Sequence, residues 1–173
     1  MMPTAQTIWS GAWSEHRLWS GGPWQTVPER RGAAGDQIGV TLRRALGSGV
    51  LEKSVRLSRA KPVVRFHYQF DGVDVPVLAL EFNLLMRDPS RMTLQWQDGV
   101  SRLELRDAGA GLALEIRVNP AASVATVPIE TISDSEEGLE RTFQGLSLVC
   151  LWPLGGRNAW AGDVEWRLTT VTS

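Results

Sequence analysis

Cysteine and histidine are scarce in this chain of 173 residues, which has one Cys (Cys150) and two His (His16 and His67). A lone cysteine excludes an internal disulfide and a cysteine-based zinc site, and two histidines leave little material for a histidine-ligated metal. An excess of basic charge is also missing, because 18 Lys and Arg oppose 19 Asp and Glu. Binding to phosphate backbones depends on such an excess, so we predict no nucleic-acid partner.

Long apolar runs are absent as well. The longest nearly apolar stretch, Leu146 to Leu154, contains Ser147 and Pro153 and is far shorter than the roughly 20 residues that a membrane-spanning helix needs. The first residues lack the basic segment and apolar stretch of a secretory signal. We therefore expect a cytoplasmic protein without a membrane association.

Tryptophan, in contrast, is abundant, with eight residues against one Tyr and four Phe. Half of the tryptophans lie in the first 35 residues, a stretch rich in Gly, Ser and Pro without a clear period: Trp9, Trp13, Trp19 and Trp24. We predict an irregular Trp-rich arm over residues 1–35 and one domain over residues 36–173. The arm would cover a surface of this chain or of a neighbouring domain.

From residue 36 onward the apolar residues recur with a period of two, which is typical of half-buried β-strands. Predicted strands are 38–43, 51–58, 64–70, 77–86, 92–96, 103–105, 112–118, 125–132, 142–152 and 164–171. Turns are predicted at Gly47-Ser48-Gly49, Asp71-Gly72, Asp98-Gly99 and residues 107–111, and the Asp98-Gly99 turn would close a hairpin. Only residues 135–144 offer a short helical candidate. Strands at this spacing favour one all-β domain, an antiparallel β-sandwich.

Carboxylates cluster in the segment that holds Asp134, Glu136, Glu137 and Glu140. Such a group could hold Ca²⁺, with Asp134 and Glu136 as ligands, and paired carboxylates could also hydrolyse a glycosidic bond. The favoured interpretation is a solvated turn whose acids begin a short helix. No metal or other cofactor is therefore expected, and calcium is kept as the alternative.

Tryptophan rings also bind sugars, because their flat faces pack against apolar C–H surfaces. Trp96, Trp152 and Trp166 lie on the apolar phase of strands and are predicted to be core residues. Trp160 differs, because it lies in a Gly-rich stretch over residues 155–162 beside Arg157 and Asn158. We predict a loop there, in which these three residues could contact a carbohydrate.

Residues 128–154, with the sequence PIETISDSEEGLERTFQGLSLVCLWPL, resemble the C-terminal β-sandwich of glycoside hydrolase family 57 enzymes, the 4-α-glucanotransferases and related α-amylases. The matching positions are Pro128, Ile129, Thr131, Ser133, Ser135, Glu136, Gly138, Glu140, Gln144, Gly145 and Trp152. Glu81-Phe82-Asn83-Leu84 and Leu51-Glu52-Lys53 fit two further strands, and the resemblance spans about residues 36–171. Asp134 stands where the family has Gln, and Ile132, Leu139 and Phe143 replace Val, Phe and Tyr.

The resemblance implies a super-sandwich of the galactose-mutarotase-like type that packs against a catalytic barrel. In the family the catalytic carboxylates belong to that barrel, so no catalytic residue is assigned to this chain and it is not expected to be an enzyme on its own. The implied role is an accessory domain that contacts an α-glucan or oligosaccharide. Gln144 and Trp152, from the matching stretch, join Trp160, Arg157 and Asn158 as candidate carbohydrate-binding residues.

Two alternatives remain beside this accessory role. One is a structural interaction domain that binds no sugar and docks through residues 1–35. The other is a small enzyme of the mutarotase type, which needs a general acid and a general base in one cleft. His67 and Glu81 are the candidate pair for that chemistry.

Overall fold

The computed structural model describes residues 23–27, 36–87, 95–135 and 138–171 of the chain. These residues form seven antiparallel strands: β1 (Gln25–Val27), β2 (Gln37–Leu46), β3 (Gly49–Ser58), β4 (Val63–Leu84), β5 (Gln95–Asp107), β6 (Leu112–Ser135) and β7 (Gly138–Thr170). All seven belong to one sheet in the order β1-β2-β3-β4-β7-β6-β5. Within these ranges no helix has the length and apolar character needed to cross a membrane.

The sheet folds back over itself, because its longest strands run through both layers of a sandwich. Phe66 in the first half of β4 contacts Phe82 in the second half, with ring centroids 5.2 Å apart. The pairing of β4 with β7 shifts register between Asp71 and Val77, and such irregularities bend a strand and increase its twist. The predicted all-β sandwich is confirmed, and it is built from one bent sheet.

The two layers have unequal widths. The wide layer contains β1, β2, β3 and the strand segments 63–71, 159–170, 112–119 and 102–107, while the narrow layer contains segments 77–84, 146–153, 123–128 and 95–97. Side chains that point between the layers form the inner faces, and the others form the outer faces. Since the narrow layer has no counterparts of β1–β3, the wide layer extends past it on that side.

The core lies between the layers and follows the alternation of most strands, whereas in β7 all residues from 145 to 152 are buried. Its largest fully buried side chains are Leu78, Ile116, Leu146, Leu148, Val164 and Cys150. Burial raises the pKa of the Cys150 thiol to about 12, so this thiol stays protonated and unreactive at neutral pH. The lone cysteine is thus a packing residue.

Two of the four predicted turns are confirmed and two are wrong. Residues 107–111 form the turn between β5 and β6, closed by a hydrogen bond from Ala110 N to Asp107 O. Gly47, with φ of 58°, reverses the chain between β2 and β3. Gly72 and Gly99 also have positive φ, but each lies inside a continuous strand, β4 or β5. A glycine at positive φ serves a bulge as well as a reversal. Leu103 and Leu105 therefore pair with Ile116 and Leu114 of β6 and form no hairpin with Trp96.

Two further local predictions are wrong. Residues 135–144 contain no helix where they are described; instead β6 and β7 form a ribbon, defined here as residues 129–135 and 138–144, in which Asp134 pairs with Leu139 and Thr131 with Thr142. The Gly-rich stretch 155–162 is part of β7 and is not a loop between strands. Gly155 and Gly156 have φ of 64° and 79°, a conformation that lets the strand bend there without ending.

The predicted arm is described only in part. Residues 25–27 form β1, which pairs with β2 through Gln25–Arg43 and Val27–Thr41. Trp9, Trp13, Trp19 and His16 lie outside the described residues. The boundary between arm and domain at residue 36 stays a prediction.

Candidate functional site

A groove of about 850 Å³ opens on the outer face of the wide layer, near the turn between β2 and β3. Leu51 and Phe70 belong to the core, so by strand alternation Glu52 and Gln69 point outward into the groove. The lining residues come from β2, β3, their turn, β4 and β7: Arg43, Ser48, Gly49, Val50, Glu52, Gln69, Phe70, Asp71, Gly72, Ala159, Trp160 and Ala161. Polar groups from three consecutive strands thus converge at one place, beside residues of β7.

Arg43, Glu52 and Gln69 form a hydrogen-bonded row across the floor of the groove. They occupy paired positions on β2, β3 and β4. Arg43 Nε and Nη2 donate to Glu52 Oε2 at 3.2 and 2.8 Å, and Gln69 Nε2 donates to Glu52 Oε1 at 2.9 Å. A carboxylate oxygen accepts two hydrogen bonds and a guanidinium carries five N–H donors. The three side chains are therefore held in place, and the guanidinium and the carboxylate keep further donor and acceptor positions for a polar ligand.

The end of the groove is shaped by a close approach of the β2–β3 turn to β4. Ser48 Oγ donates to the carbonyl oxygen of Gly72 at 2.9 Å. A Cβ atom at Gly72 would lie 3.3 Å from Gly49 Cα, and Gly72 has φ of 74°. Glycine at this position satisfies both the backbone conformation and the short approach.

Trp160 and Trp152 are core residues in the structure. Trp160 is 8% exposed, stacks on Phe70 with ring centroids 6.2 Å apart, and contacts Trp152 at 5.2 Å. Trp152 is 3% exposed, and its Nε1 donates to the Pro120 carbonyl oxygen at 2.8 Å. The core position predicted for Trp152 is confirmed, and the loop environment predicted for Trp160 is wrong. Sugar contact by either residue stays a prediction.

The other candidate sugar-binding residues are exposed and lie in two places. Arg157 and Asn158 directly precede Ala159, which lines the groove. Gln144 lies on the ribbon, where its Nε2 donates to Thr131 Oγ1 at 3.2 Å, and it is not one of the groove residues. Trp160 thus lines the groove, Arg157 and Asn158 precede its lining residue Ala159 on β7, and Gln144 is not among the lining residues.

No calcium site is found among the described residues. Asp134 is exposed on the ribbon, Glu136 lies outside the described residues, and the described part of the chain contains no group of three or more His, Cys, Asp or Glu placed to hold a metal. The calcium alternative stays a prediction.

The proposed acid–base pairing of His67 with Glu81 is wrong. His67 Nδ1 lies 2.8 Å from Asp163 Oδ1 on the outer face of the wide layer. Glu81 Oε1 accepts a hydrogen bond from Ser147 Oγ at 2.9 Å on the outer face of the narrow layer. Since the two outer faces lie on opposite sides of the sandwich, the pair shares no cleft.

Ion pairs cover the outer face of the wide layer beside the groove. Arg65 Nε donates to Glu165 Oε2 at 2.6 Å, and Arg102 and Arg117 both bind Glu115 at 2.6 Å. Hydrogen bonds from Arg65 and Arg117 hold the pKa of Glu165 and of Glu115 below the usual range. The charges of this face therefore largely satisfy one another.

Sequence reasoning missed the groove residues Arg43, Glu52 and Gln69. Each lies on the polar phase of a predicted strand, and this was the only available signal. Their convergence depends on the register in which Arg43 meets Glu52 and Glu52 meets Gln69. Period-two alternation assigns side chains to a face but does not specify the register between strands.

Solved structures with a similar fold define the class of this domain. A 4-alpha-glucanotransferase from Thermococcus litoralis superposes with a TM-score of 0.63 at 18% identity, covering 85% of this chain and 23% of that one. A heparan sulfate lyase from Pedobacter heparinus superposes with a TM-score of 0.53 at 13% identity, covering 88% of this chain and 22% of that one. At these identities the likeness concerns the fold alone, and that fold is a β-sandwich.

Sequence comparison then gives the family. Residues 33–165 match the model of the alpha-amylase/4-alpha-glucanotransferase C-terminal family, and the chain belongs to this family. Alpha-amylase 1 of Dictyoglomus thermophilum is 31% identical over 127 residues, covering 61% of this chain and 18% of that protein. The chain spans less than a quarter of the length of these relatives. The resemblance to the C-terminal domain of α-amylases and 4-α-glucanotransferases, first noted at residues 128–154, is confirmed.

Proposed function

We propose that this chain is the accessory β-sandwich of an α-glucan-acting enzyme, that it contacts the glucan at the outer groove, and that it packs against a catalytic domain through the ribbon. The family match over residues 33–165 carries this proposal, because the family is defined by C-terminal domains of amylases and glucanotransferases. No catalytic residue is assigned to the chain.

The chemistry of the groove supports contact with a glucan. A glucan presents hydroxyl groups that both donate and accept hydrogen bonds, and the groove offers the Arg43 guanidinium, the Glu52 and Asp71 carboxylates and the Gln69 amide. Binding sites typically combine a few fixed polar groups with apolar surface, and here Val50, Ala159 and Ala161 supply the exposed apolar lining. Arg157 and Asn158 precede Ala159 on β7.

Titration with maltooligosaccharides tests the glucan contact. We expect the unmodified chain to bind at millimolar concentration or below in a calorimeter and the Arg43→Ala variant to bind about tenfold more weakly, because a hydrogen bond to a charged group is lost. Arg106→Ala is the matched control, since Arg106 forms an ion pair with Glu104 on the same outer face but outside the groove. A flat titration of the unmodified chain would leave the domain a structural role only.

The ribbon is the surface proposed for the catalytic domain. Ile132 and Leu139 lie on the same face of the ribbon and are 61% and 77% exposed. On that face Arg141 Nη1 donates to Glu130 Oε2 at 3.3 Å. Exposed apolar residues next to a polar rim are typical of a protein–protein contact.

Co-purification from the native cell tests the partner. We expect the tagged chain to retain an α-glucan-cleaving or α-glucan-transferring activity in the eluate, measured on soluble starch. Replacement of Ile132 and Leu139 by Ser should remove this activity from the eluate, because the contact would lose its apolar anchors. Replacement of the exposed Thr142 by Ser, on the other face of the ribbon, is the control. An eluate whose activity is the same for all three chains would contradict the assignment of the ribbon.

A further inference from the structure

A pocket of about 230 Å³ also opens on the outer face of the wide layer, at the end where β3 turns into β4. Four of its lining residues are cationic and come from β3, the β3–β4 turn, β4 and β7: Arg56, Lys61, Arg65 and Arg167. Asp36 is the one carboxylate among the described lining residues. We call this site the cationic pocket. Since the whole chain has a net charge of −1, the local excess of positive charge does not follow from the composition.

Two of these cations occupy opposite positions on neighbouring strands. Arg56 of β3 and Arg65 of β4 are directly paired in the antiparallel register. By strand alternation both point to the outer face, as Glu52 and Gln69 do further along the same strands. Like charges in directly opposite positions destabilise a sheet. Departures of this kind from local stability rules are typical of functional sites, and a bound anion would offset the repulsion.

The carboxylates near the pocket are fewer than the cations. Glu165 is shared, because its Oε2 accepts from Arg65 Nε at 2.6 Å and its Oε1 lies 3.5 Å from Arg167 Nη2. Glu115, which pairs with Arg167 in register, is bound by two other arginines at 2.6 Å. Among the described residues, Asp36 and Glu165 thus stand against four cationic side chains.

The guanidinium of Arg167 is only partly satisfied. Its Nε is buried and has no hydrogen-bond partner among the described residues. Leaving a buried donor without an acceptor is costly, and native structures retain few such groups. Since this side chain lines the pocket, the unused donor is a second, independent indication of an anion site.

The surrounding chain positions two of the cations. A Cβ atom at Gly39 would lie 2.6 Å from both Cδ and Nη1 of Arg56, so the lack of a side chain at this residue makes room for Arg56. The β3–β4 turn is fixed by Ser58, whose Oγ accepts hydrogen bonds from the backbone N of Ala60 and Lys61 at 3.3 and 3.2 Å. Groups that are positioned before a ligand arrives lose less entropy when it binds.

The charge, the donors and the size of the pocket fit a phosphate group. Guanidinium groups match phosphate oxygens with paired N–H donors, and an ammonium group adds a point charge. A phosphate monoester carries a charge of about −1.5 to −2 at neutral pH, whereas a carboxylate carries a single charge. The volume equals that of about seven water molecules in the liquid, so a phosphate group fits with room for part of the molecule that carries it.

We propose that the cationic pocket binds a phosphate group, either as the free ion or as the phosphate ester of a sugar. The pocket shares the outer face with the glucan groove, but Arg56 follows the groove residue Glu52 by four positions on β3, which separates them by about 13 Å. The proposal rests neither on glucan contact at the groove nor on a catalytic domain at the ribbon.

Calorimetric titration of the full chain with inorganic phosphate, glucose 6-phosphate and glucose tests the proposal. We use about 0.1 M sodium chloride, which screens charges that lie beyond about 10 Å. We expect both phosphates to bind, and glucose to bind at least about tenfold more weakly than its 6-phosphate. Tighter binding of glucose 6-phosphate than of inorganic phosphate would support the sugar ester as the source, and the reverse order would support the free ion.

Substitutions in the pocket locate the binding. Lys61→Met and Arg56→Met each remove one cation and keep an apolar stem, so each should weaken phosphate binding at least about fivefold. Lys61 is exposed on the turn, so its variant remains informative if Arg56→Met fails to fold. Arg102→Met is the matched control, because Arg102 forms an ion pair with Glu115 on the same outer face outside the pocket. It should change phosphate binding less than about twofold.

Arg43→Ala separates this site from the glucan groove. It should leave phosphate binding unchanged, while Lys61→Met should leave the titration with maltooligosaccharides unchanged. The proposal would be overturned if neither phosphate bound at about 10 mM, if glucose bound as tightly as its 6-phosphate, or if both pocket variants bound phosphate as the unmodified chain does. Absence of maltooligosaccharide binding, in contrast, would count against the groove and leave the phosphate result to stand by itself.

Discussion

Replacement of Trp152 by alanine should lower the free energy of unfolding by about 3–5 kcal/mol, the range found when large buried aromatic residues are truncated. The indole is almost completely buried, packs against Trp160 at 5.2 Å and donates from Nε1 to the Pro120 carbonyl at 2.8 Å. Alanine removes the ring and leaves both a cavity and a carbonyl without its donor. Urea denaturation followed by far-ultraviolet circular dichroism measures the change.

Trp152→Phe separates the two contributions. Phenylalanine keeps an aromatic ring in the core but cannot donate to Pro120, so we expect a loss of about 1–3 kcal/mol, the cost of one unpaired buried polar group plus a small void. Trp24→Phe, in a half-exposed position over Arg44, should change stability much less. If Trp152→Ala left stability unchanged and abolished glucan binding, Trp152 would be a ligand-binding residue and not a core residue.

Gly145→Ala should be the second most damaging of these substitutions, with a loss of about 2–3 kcal/mol from overpacking. Gly145 is buried at the base of the ribbon, and a Cβ atom there would collide with the backbone carbonyl oxygen of Leu84. Leu84 pairs with Leu146, so its backbone cannot move away without breaking the pairing of β4 with β7. Thermal denaturation followed by circular dichroism measures the loss.

The adjacent residue provides the control for this substitution. Gln144 is exposed and donates to Thr131 Oγ1, so Gln144→Ala should change the free energy of unfolding by no more than about 0.5 kcal/mol. The expected cost at Gly145 is steric, since its φ is not positive and alanine could adopt its backbone conformation. Wild-type stability in Gly145→Ala would mean that β4 does not approach this position so closely.

Gly145 and Trp152 show that a family resemblance can single out a residue without explaining what the residue contacts. Gly145 and Trp152 both belong to the stretch that resembles the family, but the resemblance provides no reason for either residue. The structure provides it, because Gly145 meets the backbone of β4 and Trp152 donates to a carbonyl of β6. Both partners are distant in sequence, so no local pattern in residues 128–154 predicts them.

Strand prediction succeeded where the contacts are local and failed where the chain bends. The hairpin of β2 and β3 follows from alternation and a glycine turn, and the structure confirms it. At Gly72 and Gly99 the same signal predicted reversals, but the strands continue through a bulge. A glycine with positive φ is compatible with both outcomes, and pairing to a neighbouring long strand decides between them.

The environment of Trp160 likewise shows that local sequence does not predict where a strand bends. Its Gly-rich surroundings predicted a loop, whereas Trp160 lies in strand β7 and its ring packs inward onto Phe70 and Trp152. The ring contacts join residues that lie on different strands or on the two arms of one bent strand. Such burial depends on how the sheet folds back, which local composition does not report.

The sequence by itself determined the all-β class, the alternating faces of most strands and the membership in the family of amylase and glucanotransferase C-terminal domains. Period two requires only that successive side chains point to opposite faces, and this information is contained in the residues themselves. The tertiary structure decided which faces are covered and which residues meet. Arg43, Glu52 and Gln69 converge because three strands align in one register, and Ile38 and Leu57 are exposed because the bent sheet covers itself only in part. Register and bending are properties of the whole sheet, since each depends on pairings between distant segments of the chain.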